Sequence, residues 1–195
     1  MRQTAKNQLG WMGMLGLTMA IGCAPEGNRL EFTTFGRDNT SRQFYGEYTE
    51  AYYRQLANGT LELLLQAEAP SSLDPKQNIT QLIYLKTYWR PRPGRTAAEA
   101  SQINAHVQYA MLTPPTGVRY DGSAFLLANR DRNSGELVGR IESGTLIPRY
   151  RMGSAIEPFA SAKFIGGFRA TENPRKVLQG LHMLQNEFKE RIGPP

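Results

Sequence analysis

Short runs in which apolar and polar residues alternate recur from Leu30 onward, and a helical spacing replaces them only near the C-terminus. The cleanest alternation runs from Ile103 to Leu112. Ile103, Ala105, Val107, Tyr109 and Met111 fall on one face and Asn104, His106 and Gln108 on the other, which predicts a half-exposed strand. Ile79 to Trp89 is apolar on both parities, so it predicts a central strand covered on both faces. Thr60–Gln66 follows Asn58-Gly59, the strongest local signal for a two-residue hairpin turn. Leu30–Phe35 alternates weakly and reads as a first or edge strand. Val118–Tyr120, Ser123–Asn129, Glu136–Ser143, Leu146–Arg151 and Lys163–Thr171 supply further extended segments, with Asp131–Gly135 as a loop or turn.

Two segments carry a helical signal. In Thr40–Leu56, Thr40-Ser41-Arg42-Gln43 fits a capping box, and Phe44, Tyr48, Tyr52 and Leu56 recur every fourth position. The tyrosine-rich composition and the following Asn-Gly oppose a helix throughout, so the stretch predicts helix or turn near 41–47 and a hairpin strand from about Thr49. At the C-terminus, Asn173 is a suitable N-cap, Pro174 fits the first helical position and Gly193-Pro194 supplies a stop. Val177, Leu181, Leu184, Phe188 and Ile192 form the apolar stripe of a helix over about 174–192. Together these elements predict a mainly β (α+β) fold: an antiparallel sheet curled into a sandwich or half-barrel, with the C-terminal amphipathic helix over one face or an open end.

The N-terminus has a different pattern. Residues 1–8 carry Arg2 and Lys6, and Leu9–Ile21 is an uncharged, largely apolar run of 13 residues. A membrane-spanning helix needs about 20 apolar residues and a signal-peptide core about 7–15, so cleavage is expected and not anchoring by this run. It ends in Ala20-Ile21-Gly22-Cys23, which resembles the lipobox of bacterial lipoprotein precursors, with Ala20 where that class more often has leucine. The resemblance covers residues 1–23 alone. It implies diacylglycerol transfer to the Cys23 sulfur, cleavage between Gly22 and Cys23, and often acylation of the new amino group. The other reading of the same residues is an ordinary signal peptide cut after Gly22, which leaves Cys23 as a free thiol. Ala24, in place of aspartate, implies the outer membrane if the envelope is Gram-negative. Removal of residues 1–22 leaves a short extended tether, 23–29, and a single globular domain, 30–195.

Composition narrows the choices for that domain. An apolar fraction of 40% with 21% charged residues belongs to a packed globular body. The formal charge of +6 includes Arg2 and Lys6; without them 21 basic residues stand against 17 acidic, a formal +4. That balance is too mild for a nucleic-acid footprint. Cys23 is the sole cysteine, which excludes intrachain disulfides and cysteine metal cages, and no cofactor is implied.

Candidate chemistry is sparse. Arg90, Arg92 and Arg95 share one proline-rich turn after Tyr88 and Trp89, an arrangement able to hold phosphates or carboxylates through guanidinium forks. Arg149 and Arg151 would join it if the strands bring them near. His106 with a serine would be needed for nucleophilic catalysis, but no Gly-x-Ser-x-Gly elbow is present. His182 sits beside the apolar stripe of the helix. The acid pairs Glu47/Glu50 and Glu62/Glu68 are local candidates for glycoside hydrolysis. Asp131-x-Asn133-x-Gly135 begins like a calcium loop, but its glycine falls one place early, and a hairpin turn accounts for it better. The expectation is a membrane-anchored envelope lipoprotein with a non-enzymatic binding or structural domain, whose partner is an envelope protein or an anionic envelope polymer. The alternative is an envelope hydrolase using His106 or a carboxylate pair.

Overall fold

In a computed structural model, the residues described are 27–36, 38, 40–70, 77–88 and 103–188. The expected export signal, Cys23, Trp89, Arg90–Arg95 and Ile192 lie outside them. Among the described residues, nine strands are followed by one helix: β1 Arg29–Phe35, β2 Ser41–Glu47, β3 Glu50–Gln55, β4 Leu61–Pro70, β5 Asn78–Thr87, β6 Ala105–Thr113, β7 Thr116–Arg130, β8 Leu137–Met152, β9 Ser161–Glu172 and α1 Pro174–Glu187. No helix among the described residues is long and apolar enough to cross a membrane.

The sheet order is β2-β1-β9-β3-β4-β5-β6-β7-β8, and a further β8–β9 pairing closes strands β3 to β9 into a seven-stranded barrel. The expected curled sheet is therefore closed on itself. Closure depends on β9, which pairs along one edge with β8 and divides its other edge between two strands. Ser161–Gly167 pair antiparallel with β1, and Thr171 and Glu172 pair parallel with Tyr52 and Tyr53 of β3. β2 and β3 form nearly one strand, bent where the Tyr48 amide donates to the Asn28 carbonyl at 2.8 Å. The bend lets β2 cover β1 while β3 reaches past it to β9.

This bend explains why no helix forms over 41–47. Residues four apart share one face of a strand as well as of a helix, and Phe44 turns inward to stack on Phe32, its register partner, at 4.8 Å. Beyond the bend the parity reverses, so that Ala51 and Tyr53 are buried inside and Tyr52 packs outside against the helix cluster. The Asn58-Gly59 turn is also longer than expected. The Leu56 amide bonds the Thr60 carbonyl, the Gly59 amide bonds the Leu56 carbonyl, and Gly59 takes φ +81°, which makes a three-residue loop ending in a left-handed glycine.

Two pairs of expected segments fuse into the long strands β7 and β8, with irregularities at Arg119/Tyr120 and Phe125/Leu126. Pro148 lies at the first of these, where a residue without an amide donor is tolerated. β5 is covered on both faces as its pattern predicts, by the interior at Ile83 and Leu85 and by the helix side at Leu82 and Tyr84.

The barrel interior is packed with rings. Phe32 stacks on Phe44, Tyr109 and Phe164, Tyr109 stacks on Tyr120 at 6.0 Å, and Tyr120 stacks on Phe159 at 4.2 Å. A barrel of this size can be filled by side chains or hold one small ligand, and these rings fill it. A second cluster lies outside the wall, where Val177, Leu184 and Phe188 cover Leu64, Leu82, Tyr84, Ala110 and Leu112. Ala110 and Leu112 thus lose the exposure that the alternation of β6 suggested. Gly180 permits this approach, because a Cβ there would lie 2.5 Å from Leu64. Asn173 caps the helix by accepting the Lys176 amide at 3.1 Å, and the helix ends at Glu187, short of the expected 192.

Strand directions sort the connections into two ends. The N-terminal end gathers the start of β1, the β3–β4 turn, the strand ends joined by the β5–β6 connection, the β7–β8 turn and the start of α1. The opposite mouth gathers the β1–β2, β6–β7 and β8–β9 connections and the strand ends joined by β4–β5.

Phe32→Ala should cost about 3–5 kcal/mol of unfolding free energy in urea, as expected for a large core side chain, whereas Leu184→Ala should cost about 2–5. An effect under about 0.5 kcal/mol for Phe32→Ala, the size typical of a surface change, would contradict the ring-packed interior.

Candidate functional site

His106 projects from the outer wall of β6, where its register partners are Lys86 on β5 and Ser123 on β7. It is half-buried, and no hydrogen bond joins it to Ser123 among the described residues. The next residue in the row beyond Lys86 is Glu62, which is committed elsewhere. A histidine and a serine are therefore brought together on an outward-facing wall, without an acid aligned behind the imidazole among the described residues. His182 is exposed on the helix.

Glu62 is the most constrained acid of the described residues. Its side chain is only 2% exposed although it lies on the outer wall, where Arg54 forms an ion pair with it and Lys86 Nζ comes within 3.6 Å. Burial alone would raise its pKa, but hydrogen bonds from Arg54 and Tyr84 and the charges of Arg54 and Lys86 outweigh burial and hold the carboxyl below its usual range. Burial, reinforced by this same hydrogen bond, pushes the Tyr84 hydroxyl well up, so it remains a donor. Glu68 lies six residues along the same strand face, about 20 Å away at the strand rise, so the two acids do not form a catalytic pair. Glu47 is exposed, and Glu50 faces Lys176 at 3.7 Å.

The β7–β8 turn is a hairpin connection. Asp131 accepts the Asn133 amide at 2.8 Å, the Asp131 amide bonds the Glu136 carbonyl, and Gly135 takes φ +74°. Its neighbours form ion pairs across strands, Arg130 with Glu172 and Arg169 with Glu136.

Arg149 and Arg151 lie at the far end of β8, at the mouth opposite the end of β5 and the start of β6, so the strands do not bring them to the roots of the Arg90–Arg95 connection. Arg151 instead lines a cleft of about 530 Å³ formed largely by residues 153–160. The cleft floor is Phe159, which is stacked on Tyr120 and accepts that residue's hydroxyl through its carbonyl at 3.3 Å. Burial pushes the Tyr120 hydroxyl up, so it stays a donor and fixes the loop to the ring stack. Ala155, the highly exposed Ile156 and Glu157 complete the walls, and Gly153 turns the chain at φ +61°. The arrangement is able to hold an anionic group at Arg151, on the side away from Glu157, with an apolar portion against Ile156 and Ala155.

Nearby, Arg119 serves packing. Its guanidinium lies 4.0 Å from the Tyr150 ring centroid and 5.9 Å from that of Phe188, with Asp121 at 3.0 Å, which fixes the end of the helix to the wall. The sequence pattern did not single out Phe159, because it stands in a connection, nor the Arg54–Glu62 pair, which depends on the exact hairpin register.

Compared with known proteins, the chain matches no family model, no curated protein and no solved structure.

Because the Glu62 carboxyl is held below its ordinary value, its contribution to stability is present above the unfolded-state pKa of about 4.3 and is lost as the pH falls through the folded-state value. Glu62→Gln should lower the unfolding free energy by about 1–3 kcal/mol at neutral pH, and the difference should shrink on acidification. Urea unfolding across that range checks it, and a difference that stays constant in acid would contradict the assignment.

Proposed function

We propose that the chain is a membrane-anchored envelope lipoprotein whose barrel binds a partner and does not catalyse. In this reading residues 1–22 are removed, Cys23 carries the lipid, the outer membrane is the site if the envelope is Gram-negative, and no nucleic acid or cofactor is involved. The observation that carries the binding assignment is the mouth cleft, which combines a cation at Arg151 with the apolar side chains of Ala155, Ile156 and Phe159 and one acid, Glu157. An anionic envelope polymer fits that chemistry and also the Arg90, Arg92 and Arg95 turn. An envelope protein is the other partner class, but the exposed apolar side chains give it less support. Tyr45, Ile147 and Ile165 are spread over different strands, whereas protein interfaces favour contiguous patches.

The hydrolase reading rests on the register of His106 with Ser123. An outward-facing wall does not exclude water or position a substrate as a cleft would, so it remains the second reading.

The full chain in detergent should be retained on a polyanion resin at low salt. Arg151→Ala, and separately the triple change of Arg90, Arg92 and Arg95 to alanine, should each elute at lower salt. Elution of both variants together with the parent would remove the anion-binding reading. Conversion of Cys23 to serine should release the protein from the membrane fraction, and undiminished membrane association would remove the lipid anchor.

A further inference from the structure

The geometry points to the rim at the N-terminal end of the barrel as a surface that docks on a bilayer bearing anionic lipid, with the mouth cleft directed away from it. This inference rests on the lipid anchor at Cys23 and goes beyond it, because an anchor alone leaves the orientation of the domain open.

Position comes first. β1 runs antiparallel to β9, so it starts at the end where β9 finishes and α1 begins. Asn28 is already held there, its carbonyl by the Tyr48 amide at 2.8 Å and its side-chain oxygen by the Arg169 amide at 2.7 Å. Arg29 is six positions after Cys23, and a fully extended chain of six steps spans about 20 Å at most. β8, with 16 residues, is about 50 Å long at the strand rise, so the far mouth of an upright barrel stands well away from the bilayer.

Chemistry selects the rim over the nearby side wall. Tyr88 and Ile103 flank the β5–β6 connection at this end, joined through the Tyr88 amide to the Asn104 carbonyl, and they are 54% and 51% exposed. The Ile103 side chain was expected in the core. Instead β6 begins at Ala105, and Ile103 lies beyond the last rung of the barrel. Arg130, Arg169 and Lys176 at this end are matched by Glu172, Glu136 and Glu50, whereas Arg132 and Arg175 are exposed and form no ion pair among the described residues, with Asp131 beside Arg132 offsetting one of these two charges. An exposed aromatic and an aliphatic side chain with a small positive surplus suit the headgroup region. The side wall over β2, β1 and β9 also exposes Tyr45 and Ile165, but Glu31 stands between them in register. Arg29, Lys163 and Arg140 on that wall are balanced by Glu31, Glu47 and Glu142, so it offers no net attraction to anionic lipid.

Because Cys23 is the sole native cysteine and is consumed by lipid, an added cysteine becomes the single free thiol. Full-length chains carrying Asn133→Cys at the rim, Gln43→Cys on the side wall or Ile156→Cys at the mouth would be processed in a bacterial host. They would then be labelled with an environment-sensitive fluorophore and reconstituted into phosphatidylcholine vesicles containing phosphatidylglycerol and a quencher-bearing lipid. Quenching should be strong at 133 and near the detergent-free aqueous level at 43 and 156. Adding Ile103→Glu and Arg175→Glu to the 133 chain should abolish most of it while the chain still floats with the vesicles. Equal quenching at all three positions, strongest quenching at 43 or 156, or no effect of the two added changes would overturn the docked rim and leave the anchor standing. Failure of the parent chain to float would overturn both.

Discussion

The divided edge of β9 is the constraint on which the rest of the structure depends. One strand has to satisfy β8 along its length, β1 over its first half and β3 over its last two residues, and only a bent β2–β3 segment makes that possible. Phe32 supports the arrangement from inside. It sits on β1, the inserted strand, and its ring contacts Phe44 on β2, Tyr109 on β6 and Phe164 on β9. The strand that complicates closure thereby carries the side chain that ties opposite walls together. With no disulfide possible, stability has to come from this packing and from the second cluster under the helix.

A filled interior also shapes the functional reading. Rings that occupy the lumen leave function to the two rims and the outer wall. The rims differ: one is where the chain enters and the helix begins, and the other carries a cleft over Phe159. The outer wall is mainly used for support, through the helix, the Arg119 stack and the buried Glu62. If Cys23 carries lipid as proposed, the cleft at the opposite mouth would face away from the membrane.

Much of the fold was legible because a closed barrel with one outer helix preserves the periodicities of its elements. The faces of β5 and β6 and the N-cap at Asn173 follow directly from the residues. Three features escaped for identifiable reasons. The four-residue spacing of Phe44, Tyr48, Tyr52 and Leu56 fits both helix and strand, and only the Phe32 contact decides it. The burial of Ala110 and Leu112, on the face of β6 that the alternation left exposed, depends on where the helix docks, which is tertiary information. The Arg54–Glu62 pair is symmetric about Asn58, so it follows from a three-residue loop but not from the two-residue turn that Asn-Gly suggests. Of the candidate site, the separation of Arg149 and Arg151 from the end of β5 and the start of β6 was invisible without strand directions, and the cleft was invisible because its floor lies in a connection.

The central claim is that Cys23 is the mature N-terminus and carries lipid, since the orientation of the barrel and the task of its far rim both follow from it. The most direct measurement is the mass of the N-terminal peptide from membrane-extracted protein. The account predicts a peptide beginning at Cys23 with the added mass of a diacylglyceryl group, with or without a further acyl chain. A peptide that retains residues before Cys23, or one that begins at an unmodified Cys23, would contradict it.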